Sequence, residues 1–227
     1  MHVRPTALIT GASKGVGEAV AHALAPTHDL ILGGRDLGAL EALRAKLPGS
    51  RPWPVELTEV RAEHVEGVDR LDVLVHSAGI ARIGTVDSVP ASVWREVYEV
   101  NVVAVAELTR LLLPALRAAG GHVVLINSGA GLRANPTWAP YAASKFALRA
   151  FADALREEEA PRGLRVTTVF PGRIDTPMQR TVRTQEGAGY EPERYLNAAS
   201  VAEAVRTAVT AGPDAHYTDI TLRPARR

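Results

Sequence analysis

The chain of 227 residues contains no cysteine, and aromatic side chains make up only 5% of it. Without cysteine it can form neither a disulfide nor a thiolate ligand or nucleophile. Its 26 basic and 25 acidic residues nearly balance, so no excess charge attracts it to nucleic acid or to an anionic membrane surface. No apolar run approaches the roughly 20 residues of a transmembrane helix, and Ala7-Leu8-Ile9 is too short for the apolar region of a signal peptide. These absences predict a cytoplasmic protein without nucleic-acid or membrane partners.

Clustered metal ligands are missing as well. The seven histidines are scattered, with no pair one helical turn apart and no carboxylate at ligand spacing, so we predict no metal site. Apolar residues make up 46% of the chain and charged residues 22%, as in ordinary globular enzymes. Together with the length, this composition predicts one domain spanning residues 1–227.

Short apolar runs alternate with longer helical patterns, which predicts an α/β fold: a parallel sheet with helices on both faces. The predicted strands are Ala7–Thr10, Leu30–Gly33, Trp53–Glu56, Leu71–His76, His122–Asn127, Arg165–Phe170 and Tyr217–Leu222. The predicted helices are Gly15–Ala25, Leu37–Leu47, Ala91–Ala119, Pro140–Glu159 and Ser200–Thr210. Between the sixth predicted strand and the last predicted helix, neither strand nor helix periodicity is recognisable. Residues 176–199 are therefore predicted to form an irregular lid over the substrate.

A glycine-rich turn follows the first predicted strand, in Thr10-Gly11-Ala12-Ser13-Lys14-Gly15-Val16-Gly17. Glycine lets the backbone turn sharply there and lets a pyrophosphate approach the N–H groups of a helix N-terminus. The spacing Gly-x-x-x-Gly-x-Gly differs from the commoner Gly-x-Gly-x-x-Gly fingerprint. A glycine-rich loop without a ligand would have the same composition, so the motif needs support from other residues.

The end of the second predicted strand indicates which dinucleotide is preferred. An acidic residue there binds the ribose 2′-hydroxyl of NAD, whereas a basic one accommodates the 2′-phosphate of NADP. Here Arg35 follows the strand, and Lys14 in the glycine turn adds a second cation. We therefore predict NADP rather than NAD. Asp36 would favour NAD if the strand ended two residues later, and both cations could also be solvated surface charges.

Tyr141 and Lys145 stand one helical turn apart in Tyr-Ala-Ala-Ser-Lys, with Ser128 upstream. Reducing a ketone by hydride leaves an alkoxide that needs a proton, which a tyrosine can supply if its pKa is lowered from about 10. A nearby lysine ammonium favours the phenolate, so we expect Lys145 to lower the pKa of Tyr141. Ser128 would donate a hydrogen bond to the substrate oxygen. Each residue alone could be structural: a core-edge tyrosine, a surface lysine and a turn serine.

In combination these residues resemble the short-chain dehydrogenase/reductase family over nearly the whole chain. The resemblance extends to Ala78-Gly79 after the fourth strand, Asn101 in the long helix, and Pro171-Gly172 with Thr176 after the sixth. His76-Ser77 departs from it, because the family usually has Asn-Asn before Ala-Gly.

The resemblance implies a Rossmann-type doubly wound fold with a seven-stranded parallel sheet, and NADP(H)-dependent conversion between a carbonyl and a secondary alcohol. It implies that Lys145 also binds the nicotinamide ribose, that Asn101 supports a relay water, and that the protein forms a homodimer or homotetramer through its two long helices. The predicted catalytic residues are Asn101, Ser128, Tyr141 and Lys145. The predicted cofactor-binding residues are Gly11, Ser13, Lys14, Gly15, Val16, Gly17, Arg35, Glu56, Leu57, Ala78, Gly79, Tyr141, Lys145, Pro171, Gly172, Ile174 and Thr176.

The substrate itself is left open between two chemistries. The predicted substrate pocket has an apolar lining of Ile80, Leu132, Trp138 and Met178. Arg173 is also predicted to belong to this pocket. Arg133 and Arg173 at strand ends could attract an acidic or phosphorylated substrate, or could simply be solvated. Two other functions also stay open: a non-catalytic NADP(H) sensor on the same fold, and a sugar-nucleotide epimerase or dehydratase, for which the region after Pro171 is short.

Overall fold

The computed structural model describes residues 4–225 and is built on a seven-stranded sheet in which every strand pair is parallel. The strand order is β3-β2-β1-β4-β5-β6-β7. The strands are β1 (Thr6–Ile9), β2 (Asp29–Gly34), β3 (Ser50–Pro54), β4 (Val73–His76), β5 (His122–Ile126), β6 (Arg165–Pro171) and β7 (Asp219–Leu222). The predicted seven-stranded Rossmann-type fold is therefore confirmed.

Helices cover both faces of this sheet. They are α1 (Gly15–Leu24), α2 (Leu37–Arg44), α3 (Ala91–Tyr98), α4 (Ala104–Ala119), α5 (Ala139–Glu159), α6 (Pro177–Gln185) and α7 (Ala198–Val209). No helix among residues 4–225 combines the length and apolar character needed to cross a membrane.

Alternate strand residues feed two separate cores, because successive side chains of a strand point to opposite faces of the sheet. In β4, Val73 and Val75 pack into the core that α1, α2 and α7 cover, whereas Leu74 packs into the core under α4 and α5. All three are nearly fully buried. This burial explains why the strands read as continuous apolar runs rather than as an alternating pattern.

Several predicted boundaries were wrong by a few residues. The third strand begins three residues earlier than expected and ends at Pro54, and the seventh begins at Asp219 instead of Tyr217. The predicted helix over residues 91–119 is interrupted by a π-helical segment, Glu99–Val103. A π segment adds a residue to one turn, which periodicity of apolar residues cannot reveal.

The prediction that residues 176–199 are irregular was wrong for part of this segment, because residues 177–185 form α6. That the segment covers the substrate as a lid stays a prediction. The Thr176 hydroxyl caps this helix by accepting a hydrogen bond from the Gln179 N–H at 3.3 Å, and Pro177 occupies its first turn. Its inner face buries Val182 against the cluster that contains Tyr141. The Thr-Pro pair was the available signal, since a capping threonine followed by proline is typical of a helix start.

Two histidines inside the sheet make stability depend on pH. His76 and His122 are buried, and burial lowers the pKa of each to about 3. In the unfolded chain each histidine binds a proton near its ordinary pKa of about 6.5. Between about pH 6.5 and pH 3 the unfolded state therefore binds more protons than the folded state. Stability is therefore highest above pH 6.5 and falls as pH drops toward 3. Lowering the pH from 7 to 5 should reduce the free energy of unfolding by about 2 kcal/mol for each of the two histidines.

Urea unfolding at pH 7 and pH 5 checks this expectation. His76→Gln should reduce the difference in unfolding free energy between the two pH values by about 2 kcal/mol, whereas His22→Gln, at an exposed position on α1, should leave it unchanged. A His76→Gln protein with the parental pH dependence would contradict the assignment.

Candidate active site

The predicted site residues gather at the carboxyl edge of the sheet, where the chain order reverses. β1 lies between β2 and β4, so the loops after β1 and β4 leave the sheet beside each other and open a crevice. Ligands of open α/β sheets bind in such a crevice. The strands β3, β5 and β6 end at the same edge. Glu56 and Ser128, which follow β3 and β5, and Pro171, the last residue of β6, therefore lie on this side of the molecule.

The glycine turn after β1 is built tightly against the loop after β4. Gly11 has φ +67°, and a Cβ there would lie 3.0 Å from the Ala78 backbone. A Cβ on Gly17 would lie 2.2 Å from the carbonyl oxygen of Gly11. The Thr10 hydroxyl accepts hydrogen bonds from the N–H groups of Ser77 and Ala78 at 3.0 and 3.1 Å. Glycine is thus required by close backbone approach, and the resulting bare turn before α1 fits a pyrophosphate.

A cationic side chain follows the end of the second strand. β2 stops at Gly34 and Arg35 follows, with an exposed guanidinium 3.3 Å from the Glu56 carboxylate. The Asp36 carboxylate is engaged elsewhere, because it caps α2 by accepting a hydrogen bond from the Ala39 N–H at 3.0 Å. Lys14 is exposed at the start of α1. Asp36, the residue that argued for NAD, therefore has a structural role.

Ser128, Tyr141 and Lys145 come together at the junction of β5 and α5. Ser128 follows β5, its side chain lies near Tyr141, and its hydroxyl oxygen accepts a hydrogen bond from the Ala130 N–H at 3.1 Å. Tyr141 and Lys145 lie in the first turns of α5 and are 7% and 5% exposed. The Lys145 ammonium donates a hydrogen bond to the Ile126 carbonyl at 3.0 Å and lies 5.8 Å from the centre of the Tyr141 ring.

The pKa of Tyr141 differs from the expectation. Burial raises it, and the nearby Ser128 side chain opposes this only in part. Burial also lowers the pKa of Lys145 to about 8. The expected lowering of the Tyr141 pKa by Lys145 was wrong, because the cost of placing a phenolate in the interior outweighs the attraction of an ammonium 5.8 Å from the ring centre.

Asn101 lies in the π segment and joins the loop after β4 to α5. Its side-chain oxygen accepts a hydrogen bond from the Ile80 N–H, and its amide donates to the Ile80 carbonyl and to the Ser144 hydroxyl, at 2.9, 2.9 and 3.1 Å. Ser144 in turn donates to the Tyr141 carbonyl at 2.7 Å. Both amide hydrogens of Asn101 thus have protein acceptors, so a relay water would have to use another atom of this residue.

Two positioning contacts were not anticipated from the sequence. The Asn127 amide donates a hydrogen bond to the Lys145 carbonyl at 3.0 Å, and its oxygen accepts one from the Ser128 N–H at 2.8 Å. Asn127 is 3% exposed. It ties the loop of Ser128 to the helix of Tyr141 and Lys145. The only signal was a polar residue at the end of an otherwise apolar strand.

The predicted pocket residues surround Tyr141 unevenly. The Trp138 ring packs edge-on against the Tyr141 ring with 5.7 Å between centres, and the Arg173 guanidinium lies 5.3 Å from the centre of the Trp138 ring. Leu132 and Met178 are partly exposed, at 36% and 39%. Arg173 is not simply solvated, since it forms two hydrogen bonds with Glu186, at 2.9 and 2.6 Å.

The remaining cofactor-binding candidates lie along the same crevice. Ser13 Oγ is 3.7 Å from the point where a Cβ on Gly34 would sit, so the turn touches the end of β2. Ile174 forms an isolated parallel bridge with Leu196, and a Cβ on Gly15 would lie 3.4 Å from the Thr176 methyl group. Leu57 begins a short helical turn after β3, and a Cβ on Gly79 would lie 3.9 Å from the Lys145 ammonium. Val16 is buried at the start of α1, and Gly172 follows the end of β6.

This fold and crevice define a dinucleotide-binding α/β protein. Residues 5–187 match the family model described as short chain dehydrogenase. The bovine (Bos taurus) dehydrogenase/reductase SDR family member 11 is 33% identical over 97% of this chain and 96% of its own length. The chain belongs to the short-chain dehydrogenase/reductase family of oxidoreductases.

Solved structures of similar proteins agree. An alcohol dehydrogenase from the archaeon Thermococcus sibiricus, complexed with 5-hydroxy-NADP, superimposes with a TM-score of 0.87 at 27% identity and covers 98% of this chain and 97% of that one. An actinorhodin polyketide ketoreductase with NADPH gives a TM-score of 0.88 at 25% identity, covering 99% and 98%.

Proposed function

We propose that the protein transfers a hydride between NADP(H) and a carbonyl compound or the corresponding secondary alcohol. The observation that carries this proposal is the grouping of Ser128, Tyr141 and Lys145 at the crevice that the glycine turn borders. When bound, the nicotinamide supplies or accepts the hydride. An apolar pocket wall with a few convergent polar groups is typical of a small-molecule site.

Each of the three side chains has a distinct task in this proposal. Ser128 donates a hydrogen bond to the carbonyl oxygen, where negative charge grows during reduction. The Tyr141 hydroxyl gives its proton to that oxygen; its raised pKa keeps it protonated at neutral pH and available as a donor. The Lys145 ammonium, with a pKa of about 8, is mostly charged at neutral pH and stabilises the phenolate that remains.

NADP is the proposed cofactor because the position after β2 is cationic. Arg35 and Lys14 are exposed near the crevice, and the Asp36 carboxylate is committed to the α2 cap. The ion pair between Arg35 and Glu56 is exposed and therefore weak, so the guanidinium can turn to a 2′-phosphate at little cost. The T. sibiricus and actinorhodin relatives were both solved with NADP-type cofactors.

Arg35→Ala should raise the dissociation constant of NADPH about 10- to 100-fold and that of NADH much less, because charge-assisted hydrogen bonds to the 2′-phosphate are lost. Fluorescence titration with both cofactors measures the two constants. Arg44→Ala, at a surface arginine of α2 paired with Glu41, is the matched control and should change neither. Equal losses for NADPH and NADH would show that Arg35 does not discriminate between them.

We also propose that the protein self-associates through α4 and α5. Phe146 on α5 and Val103 just before α4 are large apolar residues with 42% and 48% exposure. Alanines on α5 would allow two copies to approach closely, but Ala142 is 1% exposed and packs inside its own chain, whereas Ala150 and Ala154 are exposed. Sedimentation velocity of the purified protein distinguishes monomer, dimer and tetramer.

A further inference from the structure

An arginine-rich cavity of about 550 Å³ opens beside the proposed catalytic group, at the carboxyl ends of β6 and β7. Four arginines contribute to its wall, with a single glutamate, Glu191. Arg173 and Arg183 both bind Glu186, at 2.6 and 2.7 Å, and Arg194 lies 3.2 Å from Glu191. Four guanidinium groups thus face two carboxylates, which leaves two positive charges uncompensated within this cluster.

Arg223 is the member of the cluster best arranged to bind an anion. Its Nη1 donates hydrogen bonds to the carbonyls of Phe170 and Leu222 at 2.7 and 2.8 Å, and these bonds orient the guanidinium. Within residues 4–225 no carboxylate lies at ion-pair distance from it. Its Nη2 makes no hydrogen bond to the described part of the chain. A held guanidinium with unused donors is pre-organised for a planar or tetrahedral oxyanion.

Two arginines of the cavity wall lie one residue away from the proposed catalytic group. Arg223 Nη2 lies 3.4 Å from the point where a Cβ on Gly129 would sit, and Gly129 directly follows Ser128. On the other side, the Trp138 ring separates the Arg173 guanidinium from the Tyr141 ring. The absence of a side chain at Gly129 leaves the route from Ser128 to Arg223 as the one along which a substrate would extend its other end into the cavity.

Resting on the reductase function proposed above, we propose that this cavity binds a carboxylate or phosphate group at the far end of the carbonyl substrate, with Arg223 as its main ligand. The substrate class is then an anionic ketone or aldehyde. Arg133, which the sequence also suggested for this task, does not line the cavity. Arg173 is largely occupied by Glu186 and serves to hold the wall in place.

The test compares matched neutral and anionic substrates. Unbranched oxo acids of increasing chain length are assayed with NADPH against their methyl esters, and dihydroxyacetone phosphate against dihydroxyacetone. At the chain length that spans the two sites, kcat/KM should favour the anion by at least about tenfold, and Arg223→Gln should reduce that preference about 10- to 100-fold. If the preference appears with the oxo acids, the cavity binds a carboxylate; if it appears with dihydroxyacetone phosphate, the cavity binds a phosphate. Arg206→Gln, at an arginine of α7 paired with Glu203, is the control and should keep the preference.

A binding measurement separates this proposal from the proposed function. The hydroxy acids and glycerol 3-phosphate are titrated into the NADP-loaded protein and its Arg223→Gln variant by calorimetry. Binding that depends on Arg223 without any turnover would support the anion site and overturn the reductase. If each ester is reduced with the same kcat/KM as its acid, and Arg223→Gln changes both values equally, the anion site is overturned while the proposed reductase function stands. Absence of Arg223-dependent binding for every acid and phosphate would also overturn the site.

Discussion

Tyr141→Phe is expected to lower the rate of NADPH-dependent carbonyl reduction by about 10²- to 10⁴-fold, the usual contribution of a positioned general acid. The substitution removes one hydroxyl from a ring that packs edge-on against Trp138, so the ring and its neighbours should keep their places. NADPH binding should change little, because the glycine turn and Arg35 lie on other elements. Steady-state kinetics with a ketone panel, and fluorescence titration of NADPH, measure the two effects.

Tyr217→Phe is the matched control, because Tyr217 is 44% exposed and lies outside the crevice; it should retain the parental rate. If the Tyr141→Phe protein still reduced substrates at the parental rate, the assignment of the proton donor would fail. If the parental protein bound NADPH but reduced no carbonyl compound of the panel, the sensor function would be favoured over catalysis.

Gly17→Ala is expected to destabilise the protein by about 3 kcal/mol, the upper end of the usual cost of overpacking, because its surroundings are rigid. Gly17 lies within α1, where alanine would ordinarily be favoured over glycine by about 1 kcal/mol. Here the new Cβ would lie 2.2 Å from the Gly11 carbonyl oxygen, and that neighbour is backbone and cannot rotate away. The turn that we propose binds the pyrophosphate would have to open, so NADPH affinity should fall as well.

Gly189→Ala tests the same change at a site with no atom within 4 Å of the new Cβ, and we expect it to be close to neutral. Urea unfolding of the two variants gives the comparison. A Gly17→Ala protein as stable as the parent would mean that α1 can shift away from Gly11, and the close approach would then not explain the glycine.

The residues of the proposed site could be predicted from the sequence more completely than the contacts that surround them. Thr10 through Gly17, Tyr141 and Lys145 are close in sequence within each motif, and their spacing alone places them on one turn or one helix face. The contacts of Asn127, Asn101 and Ser144 join elements that are far apart in the chain, and no local pattern reports such pairs. The pKa of Tyr141 likewise depends on burial by several elements, which is why its direction was predicted wrongly.

The pocket shows the same limit. The sequence named Arg173 and missed Arg223, because arginine at the end of a strand is most often solvated. Only the packing of β7 beside β6 brings Arg223 to Gly129, and only the formation of α6 brings Arg183 and Glu186 to Arg173. Both follow from contacts between distant segments.

The sequence by itself determined the α/β class, the glycine turn and the Ser-Tyr-Lys set, because strand and helix periodicity and short motifs are local properties of the chain. The tertiary structure alone decided that Arg173 keeps Glu186 as a carboxylate partner and that α6 packs Val182 into the cluster that contains Tyr141. Burial and charge compensation are set by neighbours from remote parts of the chain, and these neighbours exist only once the sheet has formed.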